Sequence, residues 1–218
     1  MKNNIIFDLD GTLTESGTGI KNSVRYTLQH YGLPMEDDES LNRYVGPPLV
    51  NSFQMFMGFT EEQAYEAIKV YRSYFTTKGM FENRVYDGIE SMLKALKNKG
   101  KRMFIATGKP TVYSRQILEH FGLSSYFETV CGISLNESTM EKDELITQVL
   151  EFAHLAPEEC VMIGDRKFDM MGANKVGVTP IGVTYGYGSR EELKTAGAHT
   201  IVDSVEQLQE LLIKGETL

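Results

Sequence analysis

Ile5-Ile6-Phe7-Asp8-Leu9-Asp10-Gly11-Thr12 is a short apolar run halted by two carboxylates two residues apart and a Gly-Thr turn. Consecutive apolar residues that stop abruptly at a charge read as a buried strand. In a doubly wound sheet, ligands bind at the C-terminal ends of the strands, where Asp8 and Asp10 would stand. The alternative is a surface Asx turn. Against it, two partly buried like charges need a cation to offset their repulsion.

The same kind of run recurs at Arg102–Ala106, Thr129–Gly132, Val161–Ile163, Val178–Val183 and His199–Val202. Amphipathic helical patterns lie between these runs. One is Gly88 to Leu96, with apolar Ile89, Met92, Leu93 and Leu96; another is Thr111 to Phe121. Gly100 and Gly122 suit helix C-termini. This alternation predicts an α/β fold, a Rossmann-like doubly wound parallel sheet with helices on both faces. From about Glu15 to Asn83 there are only helical patterns: Ile20–Tyr31, Leu41–Val45, Leu49–Met57 and Glu61–Tyr74. That stretch reads as an all-helical insertion after the first strand.

The 218-residue chain is 41% hydrophobic and 24% charged, which is ordinary globular composition. With 22 Lys and Arg against 30 Asp and Glu, the net charge of −8 and the lack of a basic run argue against nucleic acid. A small anion is compatible, because a few cations can dominate the field inside a pocket. Ile5-Ile6-Phe7 is too short for a signal core or a membrane span, so a cytoplasmic protein with no membrane partner is expected. Cys131 and Cys160 lie in strand-like runs and read as buried structural thiols.

A second acidic pair, in Gly164-Asp165-Arg166-Lys167-Phe168-Asp169, follows the Val161–Ile163 run. Asp165 at a strand end and Asp169 one helical turn on can face one point. Hard oxygen ligands of this kind suit Mg²⁺, although an N-capping Asp is common at a helix start. Ala106-Thr107-Gly108-Lys109-Pro110 offers a hydroxyl and backbone N–H groups to an oxyanion, or Thr107 is a plain N-cap. Lys142, in Thr139-Met140-Glu141-Lys142-Asp143, reads by itself equally as a solvated surface lysine.

Asp-x-Asp-Gly-Thr, then Thr107, then Lys142, then Gly-Asp-x-x-x-Asp resembles the four-motif pattern of the haloacid dehalogenase superfamily over essentially the whole chain. Thr-Leu-Thr-Glu-Ser-Gly at 12–17, Val-Gly-Pro-Pro-Leu at 45–49 and Gly-Tyr-Gly-Ser-Arg-Glu-Glu-Leu at 186–193 resemble its phosphoglycolate-phosphatase-like members. Glu15 departs from the Asp of many relatives. The resemblance implies a core of residues 1–14 and 84–218, with a helical cap at 15–83 that closes over the site.

It further implies hydrolysis of a small phosphorylated metabolite with Mg²⁺. Asp8 would be the nucleophile and Asp10 the acid and base. Asp8, the Asp10 carbonyl and Asp165 would hold the metal, with Asp169 behind them. Thr107, Gly108 and Lys142 would grip the phosphoryl oxygens, and Lys109 and Arg43 are further substrate-binding candidates. 5′-Nucleotides, pyrophosphate and sugar phosphates remain alternative substrates.

A phosphomutase of this architecture would share the core, whereas a dehalogenase would need neither Asp10 nor the second acidic pair. A receiver-type signalling domain also gathers acidic residues, Thr and Lys around Mg²⁺, but has no helical insertion. The oligomeric state is not legible. His30, His120, His154 and His199 stand near helix ends or a strand start without ligand spacing. Met55-Phe56-Met57 and Met170-Met171 read as packing, and Gly186-Tyr187-Gly188 is too short for a dinucleotide motif.

Overall fold

Ile5, Ile6 and Phe7 are completely buried, and Asn4–Phe7 forms β1 between two parallel neighbours. The computed structural model describes residues 2–135 and 140–214; Thr139, quoted beside Lys142, lies outside them. Among the described residues the other strands are β2 (Arg102–Pro110), β3 (Val130–Ile133), β4 (Cys160–Gly164), β5 (Thr179–Val183) and β6 (Thr200–Val202). All pair in parallel, in the order β3-β2-β1-β4-β5-β6. Phe7 is in register with Ile105 on one side and Ile163 on the other. The strand order therefore reverses between β1 and β4, the point at which an open α/β sheet leaves a ligand crevice beyond its strand ends.

The helices among the described residues are α1 (Gly17–His30), α2 (Leu49–Met57), α3 (Glu61–Phe75), α4 (Ile89–Asn98), α5 (Thr111–His120), α6 (Lys142–Ala153), α7 (Lys167–Val176), α8 (Arg190–Thr195) and α9 (Val205–Lys214). The chain divides into two compact units. Glu15–Arg84 is one, and the segments up to Thr14 and from Val85 onward make the other.

In the sheet-bearing unit, Ile6, Phe104 and Met162 from β1, β2 and β4 join Leu145, Ile146 and Val149 of α6 in one apolar cluster. The period-3.6 stripe of α4 is buried as its spacing predicts, at Ile89, Met92, Leu93 and Leu96. Gly100 and Gly122 both have the left-handed backbone of a helix terminus. In the Glu15–Arg84 unit, α3 opens with a Thr60–Gln63 capping box. Buried Phe53, Tyr71 and Phe75 form an aromatic series there, with Tyr71 and Phe75 stacked at 5.6 Å. No helix among the described residues is long and apolar enough to cross a membrane.

Several local expectations are refined or corrected. The helical pattern at Leu41–Val45 takes the 3-10 form, at Ser40–Tyr44. Its Asn42 and Val45 amides bond three residues back, and Asp37 accepts from the Ser40 amide. Met55 is exposed, because α2 buries the opposite face through Val50 and Phe53. Met170 is buried, but its neighbour Met171 points to solvent. Cys131 is a free thiol but only half-buried, since β3 is the edge strand; Cys160 on β4 is buried. β2 runs past Ala106 to Pro110 through an irregularity between Thr107 and Pro110.

Candidate active site

β1 hands the chain to a tight turn. The Asp8 amide donates to the Ile163 carbonyl at 2.9 Å, extending the ladder by one residue. Past it, the Thr14 amide returns to Leu9 O and the Gly11 amide to Thr14 O. Gly11 sits at φ +79°, a conformation that glycine adopts without strain. Asp8 and Asp10 are thereby held on a short closed loop, Asp8 almost fully buried and Asp10 half-buried. β4 ends at Gly164, and Asp165, the next residue, has no exposed surface. Asp169 is buried in the first turn of α7, where its Oδ2 accepts from the Arg166 amide at 3.0 Å. It is thus a helix cap and a site residue together, since its Oδ1 lies 2.7 Å from the Lys142 ammonium.

Lys142 is the first residue of α6 and is buried rather than solvated. Its Nζ stands 3.0 Å from Asp8 Oδ1 and donates to the Ala106 carbonyl at 3.1 Å. Gly172 of α7 makes this placement possible: a methyl there would lie 2.8 Å from Lys142 Cβ, so the start of α6 could not pack as close. Lys109, on the extension of β2, pairs with Asp10 Oδ2 at 2.9 Å. Thr107 is buried, and its hydroxyl accepts from the Lys109 amide at 3.3 Å. The N-cap of α5 is Pro110, so Thr107 does not cap that helix. Gly108 is exposed beside it.

Burial governs the electrostatics. It pushes the Asp8 carboxyl up to about 6; Asp169 and Asp10 add to the rise and the Lys142 ammonium opposes it. Asp165 is raised well above the carboxylate range by burial, then by Asp169 and Asp8. For Lys142, burial pulls the pKa down, but Asp169 and Asp8 outweigh it and hold the ammonium above its ordinary value. Four carboxylates face two ammonium groups.

Oxygens of Asp8, Asp165 and Asp169 lie within 4.8 Å of one another. Asp8 Oδ1 and Asp169 Oδ1 each meet the Lys142 ammonium, at 3.0 and 2.7 Å. A buried, net-negative set of hard oxygens with uncommitted lone pairs fits a hard divalent cation such as Mg²⁺. The Asp10 side chain stands apart from that set, with its Oδ2 on Lys109.

Asp8, Asp10, Thr107, Lys109, Lys142, Asp165 and Asp169 thus all belong to the sheet-bearing unit and cluster at its strand ends. Arg43 belongs to the Glu15–Arg84 unit. There its guanidinium pairs with Glu36 at 2.7 Å and lies 4.5 Å over the Phe56 ring. The same Glu36 accepts from the Tyr44 hydroxyl, whose pKa rises to about 12 through burial and that carboxylate.

Asp165 is held by a motif residue, Thr12, and by one group that a reading of the four motifs alone misses, the Tyr187 amide. The Thr12 hydroxyl donates to Asp165 Oδ1 at 3.3 Å, and the Tyr187 amide donates to Asp165 Oδ2 at 2.8 Å. The available signal was a pair of glycines shortly after a strand end, at Gly186-Tyr187-Gly188.

Residues 5–183 match the family described as haloacid dehalogenase-like hydrolase. A 5′-nucleotidase from Pseudomonas aeruginosa is 44% identical over 191 residues, covering 88% of this chain and 86% of its own. Tyrosine-protein kinase PtkA from Mycobacterium tuberculosis is 37% identical over 207 residues, 95% of this chain and 70% of its own. Phosphoglycolate phosphatase from Colwellia psychrerythraea is 26% identical over 212 residues, 94% of each. Among solved structures, a predicted phosphatase from Clostridium acetobutylicum superposes with a TM-score of 0.94 at 49% identity, covering 98% of this chain and 99% of the other. With that coverage, and with the acidic cluster at the strand ends, the chain belongs to the haloacid dehalogenase-like hydrolase family, as a phosphatase.

Proposed function

We propose that this phosphatase hydrolyses small phosphate monoesters in two steps through a phosphorylated Asp8. The observation that carries the reading is the convergence of Asp8, Asp165 and Asp169 within 4.8 Å, against the Lys142 ammonium. In the first step an Asp8 carboxylate oxygen attacks phosphorus and the bond to the leaving oxygen breaks. Asp10 donates its proton to that oxygen, so an alcohol departs. In the second step Asp10 takes a proton from water as the water oxygen attacks phosphorus. The bond to Asp8 then breaks, and inorganic phosphate leaves.

Phosphate monoesters are among the slowest substrates to hydrolyse unaided, so charge stabilisation must be large. Lys142 and the Thr107 hydroxyl are assigned to the phosphoryl oxygens, together with the Gly108 amide. Asp8, Asp165, Asp169 and the Asp10 carbonyl would hold Mg²⁺, which supplies positive charge that offsets repulsion between carboxylate and phosphate. Residues 15–83 are assigned to substrate selection. Arg43 would reach a substrate anion only in competition with Glu36. Lys109, already on Asp10, is the substrate-binding candidate beside the leaving group.

For the leaving group, the 44% identity to a 5′-nucleotidase favours nucleoside 5′-monophosphates, ahead of phosphoglycolate, which the motif resemblance suggested. The test is phosphate release from both, and from sugar phosphates and pyrophosphate, with and without Mg²⁺. Metal-dependent release, fastest from a nucleoside monophosphate, is expected. Release from none of them by folded protein would overturn the reading.

A further inference from the structure

We infer that the loop Tyr185–Gly188, outside the four motifs, is a positioning element that clamps Asp165 and thereby sets the affinity of the site for a divalent cation; the inference rests on the metal-dependent reading above. The loop follows directly on β5, which pairs with β4, the strand that ends at Asp165. Two hydrogen bonds tie it to the site, and a ring contact holds it in place. The Tyr187 amide donates to Asp165 Oδ2 at 2.8 Å. The Tyr185 hydroxyl donates to the Thr12 carbonyl at 3.1 Å, and Thr12 in turn donates from its own hydroxyl to Asp165 Oδ1 at 3.3 Å. The Tyr185 ring is also held edge-on against Tyr86 at 5.1 Å. Each Asp165 oxygen therefore carries one fixed donor and keeps lone pairs for a cation.

The glycines show how close the loop must come. A methyl on Gly186 would overlap both the Gly11 carbonyl and Asp165 Cβ, and one on Gly188 would overlap the Asp165 carbonyl oxygen. The loop backbone packs directly on the Asp165 backbone and against the Asp8–Thr12 turn, leaving no room for a side chain at either position. One loop thus holds the two acidic strand ends, after β1 and after β4, in a single arrangement. Groups that orient a metal-binding carboxylate from behind are typically worth about 10–100-fold in metal affinity.

The test is a Mn²⁺ binding titration on the full chain, reading free Mn²⁺ by electron paramagnetic resonance, alongside metal-free melting curves. Asp165→Asn serves as the control for a lost ligand. Gly186→Ala is expected to weaken Mn²⁺ binding by about 10–100-fold. Tyr185→Phe keeps the buried ring and removes only the clip to Thr12; it is expected to weaken binding by about fivefold, alongside the small fall in metal-free melting temperature that losing one buried hydrogen bond brings.

If Gly186→Ala does not fold, Tyr185→Phe decides. Wild-type Mn²⁺ affinity in Tyr185→Phe and in any folded Gly186→Ala overturns the inference and leaves the metal reading standing, as does a variant that loses only metal-free stability. Failure of the wild type itself to bind Mn²⁺ overturns the metal reading and the inference together.

Discussion

Asp8→Asn should make the metal-free protein more stable while abolishing phosphate release. The Asp8 carboxyl titrates at about 6 in the folded chain against an ordinary 3.8, chiefly because burial penalises its charge. Two pKa units correspond to about 3 kcal/mol of unfavourable differential energy. Asparagine keeps the shape and removes the charge, at the loss of part of the attraction to Lys142, so a gain of about 2–3 kcal/mol is expected. For a domain of this size that is a rise in Tm of roughly 5–10 °C.

The pH dependence fixes the cause. A carboxyl whose folded pKa lies above its unfolded value costs stability fully above about 6 and nothing well below 3.8. The advantage of the variant over wild type should therefore be largest at pH 7–8 and shrink as pH falls through 6 towards 4. Adding Mg²⁺ should narrow it at neutral pH, since the wild type binds the cation more tightly and is stabilised more. Thermal melts of both proteins in chelator at several pH values are the assay. A variant less stable than wild type at pH 8, or a gap that ignores pH, would refute the argument that burial strains this carboxylate.

Lys142→Met removes the cation between Asp8 and Asp169; breaking a buried pair in this way should cost about 3–5 kcal/mol in chelator, with part recovered on adding Mg²⁺, read by thermal melts. Gly172→Ala should displace the start of α6 and cost about 1–3 kcal/mol, and phosphate release should fall with it because Lys142 moves too. Phe104→Ala, at a completely buried position of β2, should cost about 3–5 kcal/mol in denaturant titrations without changing which substrate is preferred. Arg43→Ala should alter KM for some substrates and not others; identical constants across the panel would remove Arg43 from the substrate-binding set.

The strands and both acidic pairs were legible because one physical pattern carries them. A buried parallel strand must be apolar, and Asp8 and Asp165 each follow such a run directly. α2 at Leu49–Met57 was legible to the residue, and α3 nearly so. What escaped depends on distances that only the folded chain sets. That Lys109 stands 2.9 Å from Asp10 was not legible from the spacing of Thr107-Gly108-Lys109. Lys142 was placed in the site by the motif pattern, but the means was not legible: Gly172 admits the start of α6, which brings the ammonium in. The outward face of Met55 was hidden because the run Met55-Phe56-Met57 is apolar on both sides of the helix. Gly186-Tyr187-Gly188 is too short for a dinucleotide loop, and its glycines allow close approach to Asp165 instead.

Passage of phosphate through Asp8 can be trapped directly. Mixing enzyme with its best substrate, quenching within the first turnover and reducing with borohydride would convert an acyl phosphate to an alcohol, marking the residue by a mass change in its peptide. The change is expected at Asp8 alone and is absent without substrate. Label at another residue, or phosphate release with no reducible intermediate at Asp8, would contradict a route through Asp8.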